Sequence, residues 1–310
     1  MSRQVVELKN VSKKIGSKTI IDDISFNVYS GEVFGFLGPN GAGKTTTIRM
    51  IVGLMKLSSG DIIVNGKSVK SDFEGAVSQV GAIVENPEMY KFMSGYKNLI
   101  HYSRMYKGIS KEKIDEVVKL VGLQGRIHEK VKTYSLGMRQ RLGIAQSLLH
   151  DPKVLILDEP TNGLDPAGIR EIRDYIRRLA RERDMAVIVS SHLLSEMEMM
   201  CDRIGIIQHG KLKDVQLISD FVGEQSKVYK LEVSNPAQIA DSMRQSFPSW
   251  EIQLVGQDLL INCTKEDIPS IIKWCVEENI SVYGALVAAK TLEDRFLEVT
   301  SDKKGEPVHV

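Results

Sequence analysis

Gly38-Pro39-Asn40-Gly41-Ala42-Gly43-Lys44-Thr45-Thr46 fits the pattern GxxxxGK(S/T), and the apolar run Val33 to Leu37 stands directly before it. The run reads as a buried strand and Thr45 onward as the start of a helix, which gives strand, glycine loop and helix in that order. Glycines here let successive backbone N–H groups converge on an anion, because residues without a Cβ reach the required dihedrals and leave room for a ligand. Such a loop binds nucleotide phosphates. Lys44 is expected to reach the β- and γ-phosphates and the Thr45 hydroxyl to bind Mg²⁺, while the positive end of the following helix adds its dipole to the anion site. A chance glycine turn is the competing reading, and the order of the three elements disfavours it.

Composition bounds the classes open to the chain. Its 310 residues carry 41 Lys and Arg against 40 Asp and Glu, a balance that argues against a dedicated nucleic-acid binder. The length suits one to three domains, each able to bury a core. No apolar stretch approaches the roughly 18 residues needed to cross a bilayer, and the start shows no signal-peptide pattern, so a cytosolic protein is expected. Cys201, Cys263 and Cys275 are odd in number and lack CxxC spacing. They read as reduced core thiols, not as a metal site or disulfide framework.

Along the chain, Val5 to Leu8 and Ile24 to Val28 read as short alternating strands, with turns at Gly16-Ser17 and Asp22-Asp23. They suggest an antiparallel flap. Ser58-Ser59-Gly60-Asp61 reads as a turn into a strand at Ile62 to Val64, followed by a strong turn signal at Asn65-Gly66. Val80 to Val84 is a further apolar strand. From Leu99 to His150 the periodicity is helical: Ile114, Val117, Val118 and Val121, then Leu142, Ala145, Leu148 and Leu149. The arginines at 170, 173, 177, 178 and 181 alternate with acids on a helix from about Ala167 to Arg183, and read as a solvated, salt-bridged face. A strand at Ala186 to Ser190 precedes His192. Met197, Met199 and Met200 read as core or interface filler, and Ile204 to Gln208 as a last strand. Beyond about Phe221 the order becomes β-α-β-β-α-β, which suggests a small split βαβ domain of ferredoxin type with no chemical motif. The tail 301–310 is polar and is expected to be disordered.

Val154-Leu155-Ile156-Leu157-Asp158-Glu159 is an apolar strand ending in two carboxylates at its C-terminal edge, where ligands sit in open α/β sheets. Asp158 is placed on Mg²⁺ through water. Glu159 is placed as the base that polarises the water attacking the γ-phosphate, a role worth about 10²–10⁴-fold in rate.

With these motifs in order, the chain resembles an ATP-binding cassette (ABC) transporter ATPase. Tyr134-Ser135-Leu136-Gly137-Met138-Arg139-Gln140-Arg141 is similar to the family's LSGGQ-x-Q-R signature, Gly163-Leu164-Asp165 to its D-loop and His192 to its switch histidine. The likeness covers roughly Val5 to Leu212. It implies an α/β fold with a P-loop NTPase core, an antiparallel β flap and a helical subdomain at about 88–150, together making a nucleotide-binding domain over 1–220. The small C-terminal α+β, ferredoxin-like domain would span 221–300. The resemblance further implies that two such subunits, as a homodimer or with a similar partner, sandwich two ATP molecules. Ser135, Leu136, Gly137 and Met138 of one subunit would then meet the γ-phosphate held by Lys44 of the other. A helix preceded by serine and glycine offers oriented donors to an anion, which agrees.

Three departures narrow the likeness. Ile15 stands where many cassette ATPases have an aromatic residue stacking on adenine. Leu136 and Met138 replace a glycine and a glutamine of the signature. Glu85 stands at the place of the family's Q-loop glutamine and is counted among the metal residues with Thr45 and Asp158. Glu85, the signature at 134–142 and the C-terminal stretch Thr291 to Leu297 together resemble exporters of the bacitracin-resistance and lantibiotic-immunity type. The resemblance therefore implies an ATP- and Mg²⁺-dependent subunit, peripheral on the inner face of the membrane, that drives a separate integral-membrane permease exporting or extracting a peptide or drug. A soluble cassette ATPase acting on ribosomes or nucleic acid, and a regulatory nucleotide-sensing module, are the alternatives.

Overall fold

In a computed structural model of the protein, residues 3–222, 228–288 and 296 are described. They divide into two compact units, the first ending at Ile218 and the second running from Ser219.

The first unit opens with two long arms, β1 (Gln4–Ile15) and β2 (Lys18–Tyr29), paired antiparallel around the Gly16-Ser17 turn. These arms replace the two short strands expected from the sequence, and Asp22-Asp23 makes no turn. Asp23 takes a left-handed φ of 53° inside β2, opposite Asn10 at 48°, and the Asn10 amide donates to the Asp23 carboxylate at 3.0 Å. The chemistry that favours Asp in turns is thus spent on a bulge that bends the ladder without ending it. β4 (Ser59–Val64) joins β1, and Asn65-Gly66 turns the chain into β5 (Lys67–Ser68), giving a four-stranded antiparallel sheet in the order β2-β1-β4-β5.

The second sheet of this unit has six strands in the order β10-β9-β3-β8-β7-β6. Its members are β3 (Val33–Leu37), β6 (Val80–Ile83), β7 (Val154–Asp158), β8 (Ala186–Ser191), β9 (Arg203–Gln208) and β10 (Lys211–Leu217). All run parallel except β10, which pairs antiparallel with β9. β3 and β7 are buried along their whole length, as strands covered on both faces must be, which is why they read as unbroken apolar runs. Helix α1 (Lys44–Ile51) follows β3 and buries Ile48, Met50 and Ile51 in a core shared by the two sheets. There Phe26 of the flap stacks on Phe34 of β3 with ring centroids 5.1 Å apart.

A short helix α2 (Phe73–Val77) precedes β6, and the helical insertion follows it as α3 (Gly95–Ser103), α4 (Lys111–Leu120) and α5 (Leu136–Ser147). Helix α6 (Pro166–Arg183) begins on an Asp165 cap. Its polar face carries the Arg173–Asp174 ion pair at 3.2 Å, and Arg177 and Arg178 donate to the carbonyl oxygens of Met199 and Leu120, which ties α6 to its neighbours. Helix α7 (Leu194–Met200) buries Met197 and Met200 and leaves Met199 exposed. Strand β10 and α8 (Ile218–Val222) extend the chain beyond β9, where the sequence suggested a close.

The second unit contains β11 (Val228–Val233), α9 (Pro236–Ser246), β12 (Glu251–Val255), β13 (Asp258–Asn262), α10 (Ile268–Glu277) and β14 (Val282–Val287). Its sheet is antiparallel in the order β12-β13-β11-β14, so the first strand lies between the third and the last, and Leu231, Met243, Leu259, Ile261 and Ile271 form its own core. The three cysteines are free and buried. The 301–310 tail lies outside the described residues, as does most of Thr291 to Leu297.

Candidate nucleotide site

β8 and β7 lie beside β3 in one parallel stretch of the sheet, so their carboxyl ends open on the same side, where open α/β sheets collect ligands. The loop after β3 fits only glycine at two points. A Cβ on Gly38 would stand 2.4 Å from the Ile207 carbonyl oxygen. At Gly43, whose φ is +116°, it would stand 2.4 Å from Ile21 Cδ1. The loop is thereby pressed between β9 and the flap with its backbone turned inward. Helix α1 starts immediately after Gly43, and its first N–H groups remain available to an anion.

Lys44 is buried, and its Nζ donates to the Gly38 carbonyl at 2.6 Å while standing 3.7 Å from Glu159 Oε1. Burial lowers its pKa, with the Glu159 and Asp158 carboxylates acting in the opposite direction. A bound polyphosphate would strengthen that opposition and favour the ammonium form.

Thr45, in the first turn of α1, donates to Asp158 Oδ2 at 3.0 Å. The other Asp158 oxygen accepts from Ser190 Oγ at 2.5 Å, and Ser190 Oγ in turn accepts from the Glu159 backbone N–H at 3.1 Å. Ser190 therefore fixes both carboxylate residues from the end of β8. Glu159 turns out of β7 with φ 51°, a left-handed conformation that re-aims its side chain toward Lys44 on one oxygen and His192 on the other. His192 Nδ1 lies 2.8 Å from Glu159 Oε2. Lys44, Thr45, Glu159 and His192 line a cavity of about 330 Å³ bounded by Ile20, residues 39–46, Glu159, Asn162 and His192, with Asp158 and Ser190 buried behind them.

The residues present fit a nucleotide with Mg²⁺. The glycine cradle and the buried lysine suit a polyphosphate. The Thr45 hydroxyl and the Asp158 carboxylate are hard oxygen donors already placed together, and among the described residues no group of three or more His, Cys, Asp or Glu forms an all-protein metal cage. That combination is characteristic of Mg²⁺ held by one or two protein oxygens, phosphates and water.

Other sequence-predicted residues stand apart from this cavity. Ser135 caps α5, accepting from the Met138 N–H at 3.2 Å, with Leu136 and Gly137 in the first turn, and none of the four lines the cavity. Asp165 accepts from the Gly168 N–H at 3.1 Å. Gly163 and Leu164 lie against the signature turn, since Cβ atoms built on Gly163 and Gly137 would lie 3.2 and 3.8 Å from Leu136 and Leu164 respectively. Glu85 is exposed, does not line the cavity and forms an ion pair with Arg49. Ile15 is 54% exposed at the tip of the flap and also lies outside the lining, while Ile20 is inside it. Ser190, Asn162 and Ile20 escaped the sequence reading. Only Ser190, as a polar residue ending an apolar strand beside β7, left a signal there.

Residues 21–162 match the family model described as ABC transporter. The chain is 60% identical over 307 residues to the Bacillus subtilis (strain 168) ABC transporter ATP-binding protein YhcH, covering 99% of each chain. It is 39% identical to the bacitracin transport ATP-binding protein BcrA of Bacillus licheniformis, covering 95% of this chain and 97% of that one. Among solved structures, an ATP-binding subunit of an ABC transporter superposes with a TM-score of 0.62 at 28% identity, over 70% of this chain and 91% of that chain.

Proposed function

We infer, from the premise that this chain belongs to the ABC transporter family as one of its ATP-binding, ATP-hydrolysing subunits, that it hydrolyses ATP between two copies of such a subunit and so drives export of a peptide antibiotic or drug through a separate permease. The observation that carries the reading is the convergence of Lys44, Thr45 with Asp158, and Glu159 with His192 on one cavity. Lys44 and the N–H groups of the loop bind the β- and γ-phosphates. Thr45 and Asp158 hold Mg²⁺, which when bound neutralises charge on the phosphate oxygens. Glu159, held by its backbone bond to Ser190, takes the proton of the attacking water, and His192 orients that carboxylate. Ser135 is exposed and Gly137 half-buried; both would face a second subunit and close the γ-phosphate side, with Gly163 to Asp165 nearby. The likeness to BcrA motivates the choice of a peptide antibiotic as substrate, and docking on the permease would hold the subunit at the inner face of the membrane.

The test is Glu159→Gln, which removes the base and keeps the binding groups. It should elute from size-exclusion columns as an ATP-bound dimer in ATP and Mg²⁺, and should abolish resistance to the exported compound. Hydrolysis at the wild-type rate would remove Glu159 from the mechanism.

A further inference from the structure

Arg49 lies four residues after Thr45 on α1, so the two share one face of the helix and stand about 6 Å apart along it. Thr45 meets Asp158 at the end of β7, and Arg49 meets Glu85 in the segment after β6. β6 and β7 are neighbours, paired in parallel up to Ile83↔Leu157, so Glu85 and Asp158 both follow that last pair at the same end of the sheet. Helix α1 therefore crosses two adjacent strand ends, with Thr45 over β7 and Arg49 over β6. Glu85 is turned out by a left-handed φ of 70°. Two residues on, Pro87 is packed against α5, so closely that a Cβ on Gly143 would stand 2.6 Å from Pro87 Cβ. The segment is thus fastened to α5 at Pro87 and to α1 at the Glu85 carboxylate.

We propose that Arg49 is a positioning residue that competes with Mg²⁺ for the Glu85 carboxylate. The proposal rests on the reading that Thr45 and Asp158 hold the metal. With the pair closed, the Glu85 carboxylate is held by Arg49 and contributes nothing to those oxygens. With it open, the carboxylate is free to approach and add a second anionic oxygen, which a hard divalent cation favours. The clasp is made to open. Its partners are 39% and 63% exposed, and exposed ion pairs bias an equilibrium by only about 1.4- to 5-fold.

Equilibrium binding of a non-hydrolysable ATP analogue to the full-length protein, followed across a Mg²⁺ titration, reads this directly. Arg49→Gln should lower the Mg²⁺ midpoint by about two- to fivefold, the scale of an exposed ion pair. Arg49→Lys, which keeps the charge, should shift it less, and the shift should vanish when Arg49→Gln is combined with Glu85→Gln. An unchanged or raised midpoint in Arg49→Gln overturns the proposal, as does a shift that persists without the Glu85 carboxylate. Thr45→Ala separates the two levels. If it leaves the midpoint unmoved, the metal-site reading fails and the clasp with it; if it raises the midpoint while Arg49→Gln does not lower it, the clasp alone fails.

Discussion

His150 shows how burial fixes the state of a single residue. Its Nε2 donates to the Val80 carbonyl at 3.1 Å and its ring stacks on Tyr106 at 4.5 Å, while Nδ1 is buried without a partner among the described residues. Burial holds its pKa below the ordinary imidazole value, against the opposing effects of the Val80 bond and Asp151. The unfolded chain therefore takes up this proton first as the pH falls through about 6.5, and in that window the unfolded state binds more protons than the folded one. His150 supports folding above that pH and loses its contribution as the pH falls toward the folded-state value. The thermal midpoint should fall between about pH 7.5 and 5.5, and less steeply in His150→Gln. Parallel slopes for the two proteins would refute this. Nothing local in the sequence distinguishes a buried, stacked ring at His150 from a surface one.

Among the elements, the segment entering the helical insertion joins a rigid backbone to exposed rings. Asn98 on α3 is fully buried; its side chain accepts from the Tyr90 N–H at 2.9 Å and donates to the Tyr90 carbonyl at 3.1 Å. Tyr90 and Phe92 are nevertheless 42% and 68% exposed, with their rings edge to face at 5.8 Å. An exposed aromatic pair on a clamped strap suits an amphipathic helix of a partner, and the permease is the partner we propose. Tyr90→Ala with Phe92→Ala should reduce permease pull-down and leave ATP binding intact. Undiminished pull-down would exclude this face. The periodicity of Ile114 to Val121 and of Leu142 to Leu149 made the insertion legible, because each set is buried along a helix, α4 or α5, and the residues that end it. Asp22-Asp23 misleads for the opposite reason: a left-handed Asp serves a bulge as well as a turn, and only the register with β1 decides between them.

At the scale of the molecule, every residue lining the nucleotide cavity falls between Ile20 and His192, inside the first unit, and the second unit has a core of its own. A fragment ending at Ile218 should therefore bind ATP with an affinity within about threefold of the full chain, a difference under 1 kcal/mol, as measured by equilibrium titration. A loss of tenfold or more would show that the C-terminal unit supports the site. The sequence by itself determined the strand, glycine loop and helix around Lys44, the two carboxylates ending the strand at 154–158, and the β-α-β-β-α-β order of the second unit. Each of these is written in near neighbours: an unbroken apolar run for a strand buried on both faces, alternation for one buried on a single face, and glycine where a Cβ has no room. The tertiary structure alone decided that Ser190 joins Asp158 to Glu159, that Ile20 and not Ile15 lines the cavity, and that Arg49 holds Glu85. The partners in these contacts lie 31 or more residues apart, or on the two sides of a hairpin. Such pairs meet only through strand order and register, which arise from the packing of whole sheets and leave no periodic trace in the chain.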